Sequence, residues 1–471
     1  MGFAEYLGSL AGKRVFVVGA GVSNTPLIEA LLGAGVDVTV CDRRMREELG
    51  AAADKFEADG AGLRLGDDYI DNIDADVVFR TPGLMPWNDC ISAAAANGAV
   101  ITSEMEVFFD VCPCPIIGIT GSDGKTTTTS LIGDILKNEG RTVHIGGNIG
   151  MPVLCKADSM NKDDIAVLEL SSFQLISMKK SPHISVVTNI SPNHLDVHRD
   201  MKEYVDAKRN ILAHQGNSDR AVLNLDNAYT RAYAGEASGE TVFFSRCEKV
   251  DNGVFLKDGT IHLSQGGCTE PLMKTSGLYL PGLHNVENYM AAFAAVRGLA
   301  GVNAMQKTAN GFSGVAHRIE HAKQLRGVRY YNDSSASSPS RTIAALKSFD
   351  KKVILIAGGK GKGVAFDELG KAIIAHVKTL ILTGMTAWEI RESVENAPGY
   401  DGKPDVHTHE NLEEAVIAAS EIAEAGDIVL FSPASTSFDS FRNFEERGEA
   451  FKDIVRKLGI RDWAIRSRYG V

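Results

Sequence analysis

Short β-branched runs alternate with Ala- and Leu-rich stretches along almost the whole chain, a pattern that predicts parallel sheets covered by helices. An apolar strand at Arg14-Val15-Phe16-Val17-Val18 leads into Gly19-Ala20-Gly21, then a helical stretch, then a strand at Val38-Thr39-Val40-Cys41-Asp42. This first block ends near Cys112-Pro113-Cys114-Pro115, where paired prolines interrupt regular structure. A second block opens with the strand Ile116-Ile117-Gly118-Ile119-Thr120 and includes a predicted hairpin from Val254 to Leu263, turning at Lys257-Asp258-Gly259. Its last helix is predicted over Val286 to Leu299. A third block begins around Val315-Ala316-His317-Arg318 and holds three apolar strands, at Val353-Ile356, Leu380-Leu382 and Ile428-Phe431. No short repeat or low-complexity tract interrupts the pattern.

The length of 471 residues agrees with that division, since about 150 residues per domain is usual. Expected boundaries are 1–112, 113–315 and 316–471. Hydrophobic residues at 44% and charged residues at 23% are ordinary for a soluble globular protein. A net charge of −11, from 49 Lys and Arg against 60 Asp and Glu, argues against broad nucleic-acid or anionic-membrane binding. Seven scattered cysteines without metal-ligand spacing read as reduced thiols. Met1-Gly2-Phe3-Ala4-Glu5-Tyr6 carries no targeting signal, and no apolar run approaches the roughly 18 residues that span a bilayer. A cytoplasmic protein is therefore expected, and it is taken to be a monomer.

The strongest chemical signal follows the strand that opens the second block. Gly121-Ser122-Asp123-Gly124-Lys125-Thr126-Thr127 runs into a helical stretch. Such a loop converges backbone N–H groups on a phosphate, Lys125 adds a point charge, and the Thr126 hydroxyl can reach Mg²⁺. Ile119 stands where the strict pattern has its first glycine, so the strand-loop-helix context carries the assignment. Gly19-Ala20-Gly21-Val22-Ser23-Asn24 with Asp42 is an imperfect dinucleotide fingerprint, because Asn24 replaces its third glycine. An NAD(P) site, a nucleotide diphosphate carried by a substrate, and a structural turn all remain open for it. Glu169 ends a strand where a carboxylate can hold a cation. His194 and His198 lack the HExxH spacing, so zinc is not expected. Taken by itself, Lys208 reads as a solvated helix lysine.

Several ordered motifs together resemble the Mur ligases of peptidoglycan synthesis: Gly121 to Thr127, Gly147-Asn148-Ile149-Gly150, Glu169-Leu170-Ser171-Ser172-Phe173-Gln174-Leu175, Asn193-His194-Leu195-Asp196, Leu280-Pro281-Gly282-Leu283-His284-Asn285, Ser432 to Asp439, and Phe441 to Gly448. The Glu169–Leu175 run is most similar to the branch that adds D-glutamate. The resemblance implies an α/β protein of three domains: an N-terminal Rossmann-like domain for a UDP-sugar, a central P-loop ATPase-like parallel sheet, and a C-terminal Rossmann-like domain for an amino acid. It implies an ATP-dependent, ADP-forming ligase acting on UDP-N-acetylmuramoyl-L-alanine and D-glutamate. ATP and Mg²⁺, as two ions, fall to Gly121, Ser122, Asp123, Gly124, Lys125, Thr126 and Thr127, with Asn288, Arg318 and Asp333 also on ATP. Glu169 and His194 would surround the second ion and Lys208 would match the family's carbamylated lysine. Lys125, His194 and Lys208 are the implied catalytic residues. Val22, Ser23, Asp42, Arg44, Thr81, Gly83 and Asn148 would bind the UDP-sugar substrate. Lys362, Ser437, Phe438 and Phe444 would form the D-glutamate pocket, with Ser337 also facing substrate. Where many members continue Lys-Ala-Thr-Asn after Asn332-Asp333-Ser334, this chain has Ser335-Ala336-Ser337-Ser338, and Lys360 or Lys362 is the expected replacement for the lost lysine. A sister ligase with another acceptor and an NAD(P)-dependent oxidoreductase are the rival readings.

Overall fold

The computed structural model describes all residues except Gly150, Met151, Asp196, Pro281, Lys362, Gly363, Gly470 and Val471, and the side chains of 459–469. The implied role of Lys362 therefore lies outside the described residues, as do Gly150, Asp196 and Pro281 of the quoted motifs. The chain divides into two compact units, Met1–Phe312 and Ser313–Val471.

The first unit holds two sheets. Strands β1 (Arg14–Val18), β2 (Asp37–Asp42), β3 (Gly62–Leu65), β4 (Val77–Phe79) and β5 (Val100–Thr102) form a parallel sheet in the order β3-β2-β1-β4-β5. Its order reverses between β1 and β4, and the crevice at such a reversal is where open α/β sheets bind ligands.

The second sheet contains β6 (Ile116–Thr120), β7 (Val143–Gly147), β8 (Ile165–Glu169), β9 (Ile184–Val187), β10 (Arg220–Asn224), β11 (Glu240–Ser245), β12 (Gly253–Lys257), β13 (Thr260–Gln265) and β14 (Cys268–Lys274). β6 sits between β8 and β9, parallel to both. It is buried along its whole length, as a strand covered on both faces should be. The expected hairpin is β12–β13. Lys257 pairs with Thr260, and Asp258 (φ 48°) and Gly259 (φ 69°) supply the two positive φ angles of a tight two-residue turn.

The second unit has one sheet, β15 (Glu320–Leu325), β16 (Val328–Asn332), β17 (Val353–Ala357), β18 (Val377–Leu382), β19 (Asp405–Thr408) and β20 (Ile428–Phe431), in the order β15-β16-β20-β17-β18-β19. β15 is antiparallel to β16 and the others are parallel. Separate apolar clusters cover its faces, one around Leu355 and Leu380, the other around Ile354 and Phe451.

Two expectations shift. The helix predicted over Val286 to Leu299 runs Leu283–Val296, because Gly282 at φ 99° and Arg297 with a non-helical ψ of 125° bound it. In the second unit sequence patterning did not anticipate β15, β16 or β19. Among the described residues no helix is long and apolar enough to cross a membrane.

Candidate functional site

The segment after β6 is shaped by residues far along the chain. Gly121 has φ 150°, and a Cβ there would stand 1.9 Å from Thr188 Oγ1. Thr188 Oγ1 donates to the Asp123 carbonyl at 2.6 Å, and the Asp123 N–H donates to Asn189 Oδ1 at 3.0 Å. Gly124, left-handed at φ 79°, precedes the helix Lys125–Asn138 without a capping side chain. A Cβ on Gly124 would meet Asn288 Oδ1 at 2.2 Å, so only glycine lets the helix Leu283–Val296 approach this closely. Asn288 accepts from Thr128 Oγ1 at 3.4 Å, which ties the two helices at the loop. Lys125 Nζ folds back to the carbonyls of Gly121 (2.9 Å) and Ser122 (3.0 Å). Thr127 lies half-buried in the first turn.

Glu169, at the end of β8, is buried beside this loop. Its Oε2 accepts from Thr126 Oγ1 at 2.7 Å and its Oε1 from Asn148 Nδ2 at 2.9 Å. Gly147 brings Asn148 there: at φ 91° it lies so close to the Glu169 carbonyl that a Cβ would stand 2.2 Å from that oxygen. Lys125, Thr126, Asn148, Glu169 and Asn288 thus gather around one strand end. A hydroxyl and a carboxylate are hard donors suited to Mg²⁺, which is commonly held by one or two carboxylates plus substrate phosphates. No group of three or more His, Cys, Asp or Glu among the described residues could by itself hold a metal ion.

Lys208 corrects the reading of a solvated lysine. It is only 2% exposed, and its Nζ donates to the Gly121 carbonyl at 2.8 Å and stands 3.4 Å from Thr120 Oγ1. Burial first, then the charge of Lys125, holds its pKa well below the ordinary lysine value. The helix Met201–Ala213 buries Tyr204, Ala207, Lys208, Ile211 and Leu212 on one stripe, so helical spacing from Tyr204 was the signal that could have placed Lys208 inside. Tyr204, missed as a shaping residue, shares a 2.9 Å hydrogen bond with Ser122 Oγ, which also donates to the Ser191 carbonyl. His194 lies exposed on the segment after β9 at φ 56°, its ring edge-on to Phe173 with centroids 5.1 Å apart. His198 is buried between Ser172 Oγ (2.9 Å) and Glu203 Oε2 (3.2 Å), a packing position.

At the β1/β4 reversal, Gly19 (φ 87°) faces Thr81: a Cβ would come 3.1 Å from Thr81 Cβ. Val22 is 78% exposed, and Ser23 and Gly83 are also open to solvent at this crevice. Asn24 replaces the fingerprint's third glycine with an anchor, for its buried Nδ2 donates to the carbonyls of Val18 (3.1 Å) and Gly19 (2.9 Å). Asp42 accepts from the Ala20 N–H at 2.7 Å and from Arg44 Nη2 at 2.8 Å. Burial raises the Asp42 pKa, but the Arg44 and Ala20 hydrogen bonds outweigh it and hold it below the ordinary value.

In the second unit, Asp333 follows β16 and is fully enclosed, accepting from Ser432 Oγ at 2.6 Å and from the Ile319 N–H at 3.2 Å. Burial pushes its pKa up to about 7 against those hydrogen bonds and the charge of Arg318, which is itself exposed. Ser437 is buried, Ser337 half-buried, Phe438 64% exposed and Phe444 partly exposed. Arg447, quoted within a motif but given no role, is buried and donates to the carbonyls of Ser334 (2.9 Å), Ser435 (3.0 Å) and Thr436 (2.9 Å). Burial lowers its pKa to about 10. The backbones of Lys360 and Thr436 exchange hydrogen bonds of 3.0 and 2.9 Å, joining the loops after β17 and β20.

Comparison with known proteins places the chain among its relatives. The Mur ligase middle domain matches residues 119–296, and the Mur ligase glutamate ligase domain matches residues 317–435. A UDP-N-acetylmuramoylalanine--D-glutamate ligase of Acetivibrio thermocellus is 47% identical over 458 residues, covering 96% of this chain and 98% of that one. One of Ruminiclostridium cellulolyticum is 46% identical over 461 residues, with the same shares covered. The crystal structure of a UDP-N-acetylmuramate-alanine ligase from Thermotoga maritima shares the fold, with a TM-score of 0.56 and 18% identity over 95% of this chain and 100% of that one. By its similarity along nearly its whole length, and by the two domains it matches, the chain belongs to the Mur ligase family.

Proposed function

We propose that this protein adds D-glutamate to UDP-N-acetylmuramoyl-L-alanine at the expense of ATP, within peptidoglycan precursor synthesis. The observation that carries the reading is the contact of Thr126 with Glu169 beside Lys125 at the end of β6, in a chain nearly half identical to D-glutamate ligases along its length. The division of labour we assign is UDP-sugar to 1–112, ATP to 113–315 and the amino acid to 316–471.

In the first step a carboxylate oxygen of the lactyl-L-alanine group attacks the γ-phosphorus of ATP, giving an acyl phosphate and ADP. In the second the D-glutamate amine attacks the acyl carbon, the C–N bond forms, phosphate leaves with the C–O bonding electrons, and the amine gives up a proton. Phosphoryl transfer demands positioning and charge neutralisation more than covalent protein chemistry. Lys125 has only to turn its Nζ from the carbonyls of Gly121 and Ser122 to reach a phosphate. Thr126 and Glu169 would hold Mg²⁺, in our reading as two ions together with His194 and Lys208, and the ions would supply neutralisation of phosphate charge. His194, exposed beside Phe173, is the group we assign to take the amine's proton. Lys208 supports the carbamate reading because CO₂ adds to a neutral amine, and burial favours that form. Asn288, Arg318 and Asp333 are assigned to ATP, and Ser337, Ser437, Phe438 and Phe444 to the amino-acid side. The net charge of −11 supports a protein free of nucleic acid and anionic membrane, and we read it as a cytoplasmic monomer.

The test is phosphate release from ATP by purified protein. Release that needs both UDP-N-acetylmuramoyl-L-alanine and D-glutamate supports the reading. Turnover with a different acceptor from an amino-acid panel identifies a sister ligase, and release without either substrate refutes the coupling.

A further inference from the structure

Arg80 follows β4 directly and is among the most enclosed side chains of the first unit, 1% exposed. Its Nη1 donates to the carbonyls of Thr81 (3.3 Å), Pro82 (3.2 Å) and Leu84 (2.7 Å), so one nitrogen gathers the whole turn that carries Thr81 and Gly83. Its Nη2 crosses to the Phe173 carbonyl at 3.2 Å and Ser177 Oγ at 2.8 Å. Those two partners lie in the segment that leaves β8 immediately after Glu169. A single planar guanidinium therefore bridges a loop at the β1/β4 crevice and the loop beside the phosphate site.

This is a costly way to join two loops. A buried cation loses hydration, and the acceptors here are neutral carbonyls and a hydroxyl, with the Glu106 charge as the electrostatic offset. The Arg80 Nε has no hydrogen-bond partner among the described residues. Burying a methionine would serve packing at less cost, whereas only a guanidinium presents donors in a fixed fork to both loops.

We propose that Arg80 is a positioning residue for the sugar-nucleotide substrate, fixing the spacing between the loop at 81–84 and the loop at 170–177 so that both ends of one ligand engage together. The proposal rests on the assignment of the UDP-sugar to the first sheet. A ligand that spans two subsites gains affinity from their fixed spacing, because binding one end raises the effective concentration of the other. A ligand that fills only one subsite gains nothing. Arg80 should consequently matter for UDP-N-acetylmuramoyl-L-alanine and not for UDP.

Calorimetric titration of the full chain with each ligand tests this in the wild type, Arg80→Lys and Ser177→Ala. Lysine keeps the charge and loses the fork. Ser177→Ala keeps Arg80 and its three carbonyl contacts at 81–84 and removes the 2.8 Å partner on the far side. For Arg80→Lys, affinity for the full substrate is expected to fall about tenfold while UDP binding stays within about twofold and the KM for ATP is unchanged. A fall of threefold or more in the ratio of the two affinities, in either folded variant, supports the positioning role. A smaller change in the ratio for every folded variant overturns it, including the case in which both ligands weaken equally, the mark of a merely structural arginine. Should Arg80→Lys fail to fold by circular dichroism, Ser177→Ala decides by the same threshold. A wild-type protein that binds neither ligand would instead sink the UDP-sugar assignment on which the inference rests.

Discussion

Lys208→Met separates the chemistry of the buried lysine from its packing. The Gly121 carbonyl that accepts from Lys208 Nζ also accepts from Lys125 Nζ at 2.9 Å, so losing the Lys208 amine leaves that oxygen partnered. Methionine has nearly the same length and stays among Tyr204, Ala207, Ile211 and Leu212. Exchanging a desolvated amine, which burial drives toward its neutral form, for an apolar side chain of similar volume is neutral to stabilising, by up to about 1 kcal/mol, which corresponds to a Tm raised by roughly 0 to 4 °C. Lys208→Ala instead removes three buried methylenes, worth about 2.4 kcal/mol at roughly 0.8 kcal/mol each, and leaves a void. If a carbamate on Lys208 is an oxygen ligand, both variants should lose about 10²-fold or more in turnover. Acetate should restore part of the alanine variant's activity, because the void admits a small carboxylate, and none of the methionine variant's. Phosphate release with and without acetate, beside thermal melts, reads all of this. Methionine-variant turnover within about tenfold of wild type, or equal rescue of both variants, would refute the reasoning.

Lys125→Ala should abolish phosphate release while melting within about 2 °C of wild type, because the Gly121 carbonyl it caps keeps Lys208 Nζ as a donor; near-normal turnover would remove the phosphate-loop assignment. Asp42→Ala should raise the KM for the UDP-sugar by roughly tenfold and leave that for ATP unchanged, since the Ala20 N–H loses its acceptor and Arg44 its partner at the first sheet alone; steady-state kinetics showing equal effects on both would contradict it. Glu104 is buried, and its carboxyl is pushed from 4.5 to about 7 by burial, against one hydrogen bond from the Leu154 N–H. The folded chain thus keeps a proton that the unfolded chain releases, so this contribution to stability is full below pH 4.5 and is lost as pH rises through about 7. Glu104→Gln should avoid a loss of about 3 kcal/mol at most, its Tm advantage over wild type growing between pH 5 and pH 8; parallel Tm curves would disprove it.

Legibility followed burial pattern. β6 and its glycine-rich turn were readable because a strand covered on both faces is a continuous apolar run and the turn's residue types are dictated by its φ angles. β15, reading Glu-His-Ala-Lys-Gln-Leu, was not, because an antiparallel outer strand needs little apolar character and its pairing with β16 is decided across the sheet. Charged neighbours hid Lys208: Lys202, Asp206 and Arg209 mark its helix as a solvated face, while the stripe through Tyr204 and Ile211 puts it inside. Arg80 gave no signal, since its partners lie both beside it and more than ninety residues away. Residue types around Asp42 and Glu169 pointed to ligand chemistry, but which oxygen each hydrogen bond occupies emerges only from the assembled sheets.

The dependence of the glycine-rich loop after β6 on distant partners bears on how the protein is made. Thr188, Ser191 and Tyr204 fix the loop between Gly121 and Asp123, and Asn288 closes against Gly124. On a ribosome adding roughly 5–20 residues per second, the 164 residues separating Gly124 from Asn288 take about 8 to 33 s to synthesise. Throughout that interval the glycine-rich segment has been translated but lacks its mould. A nascent chain stalled before Asn288 should therefore not retain nucleotide, because the helix that closes against Gly124 has not yet been made.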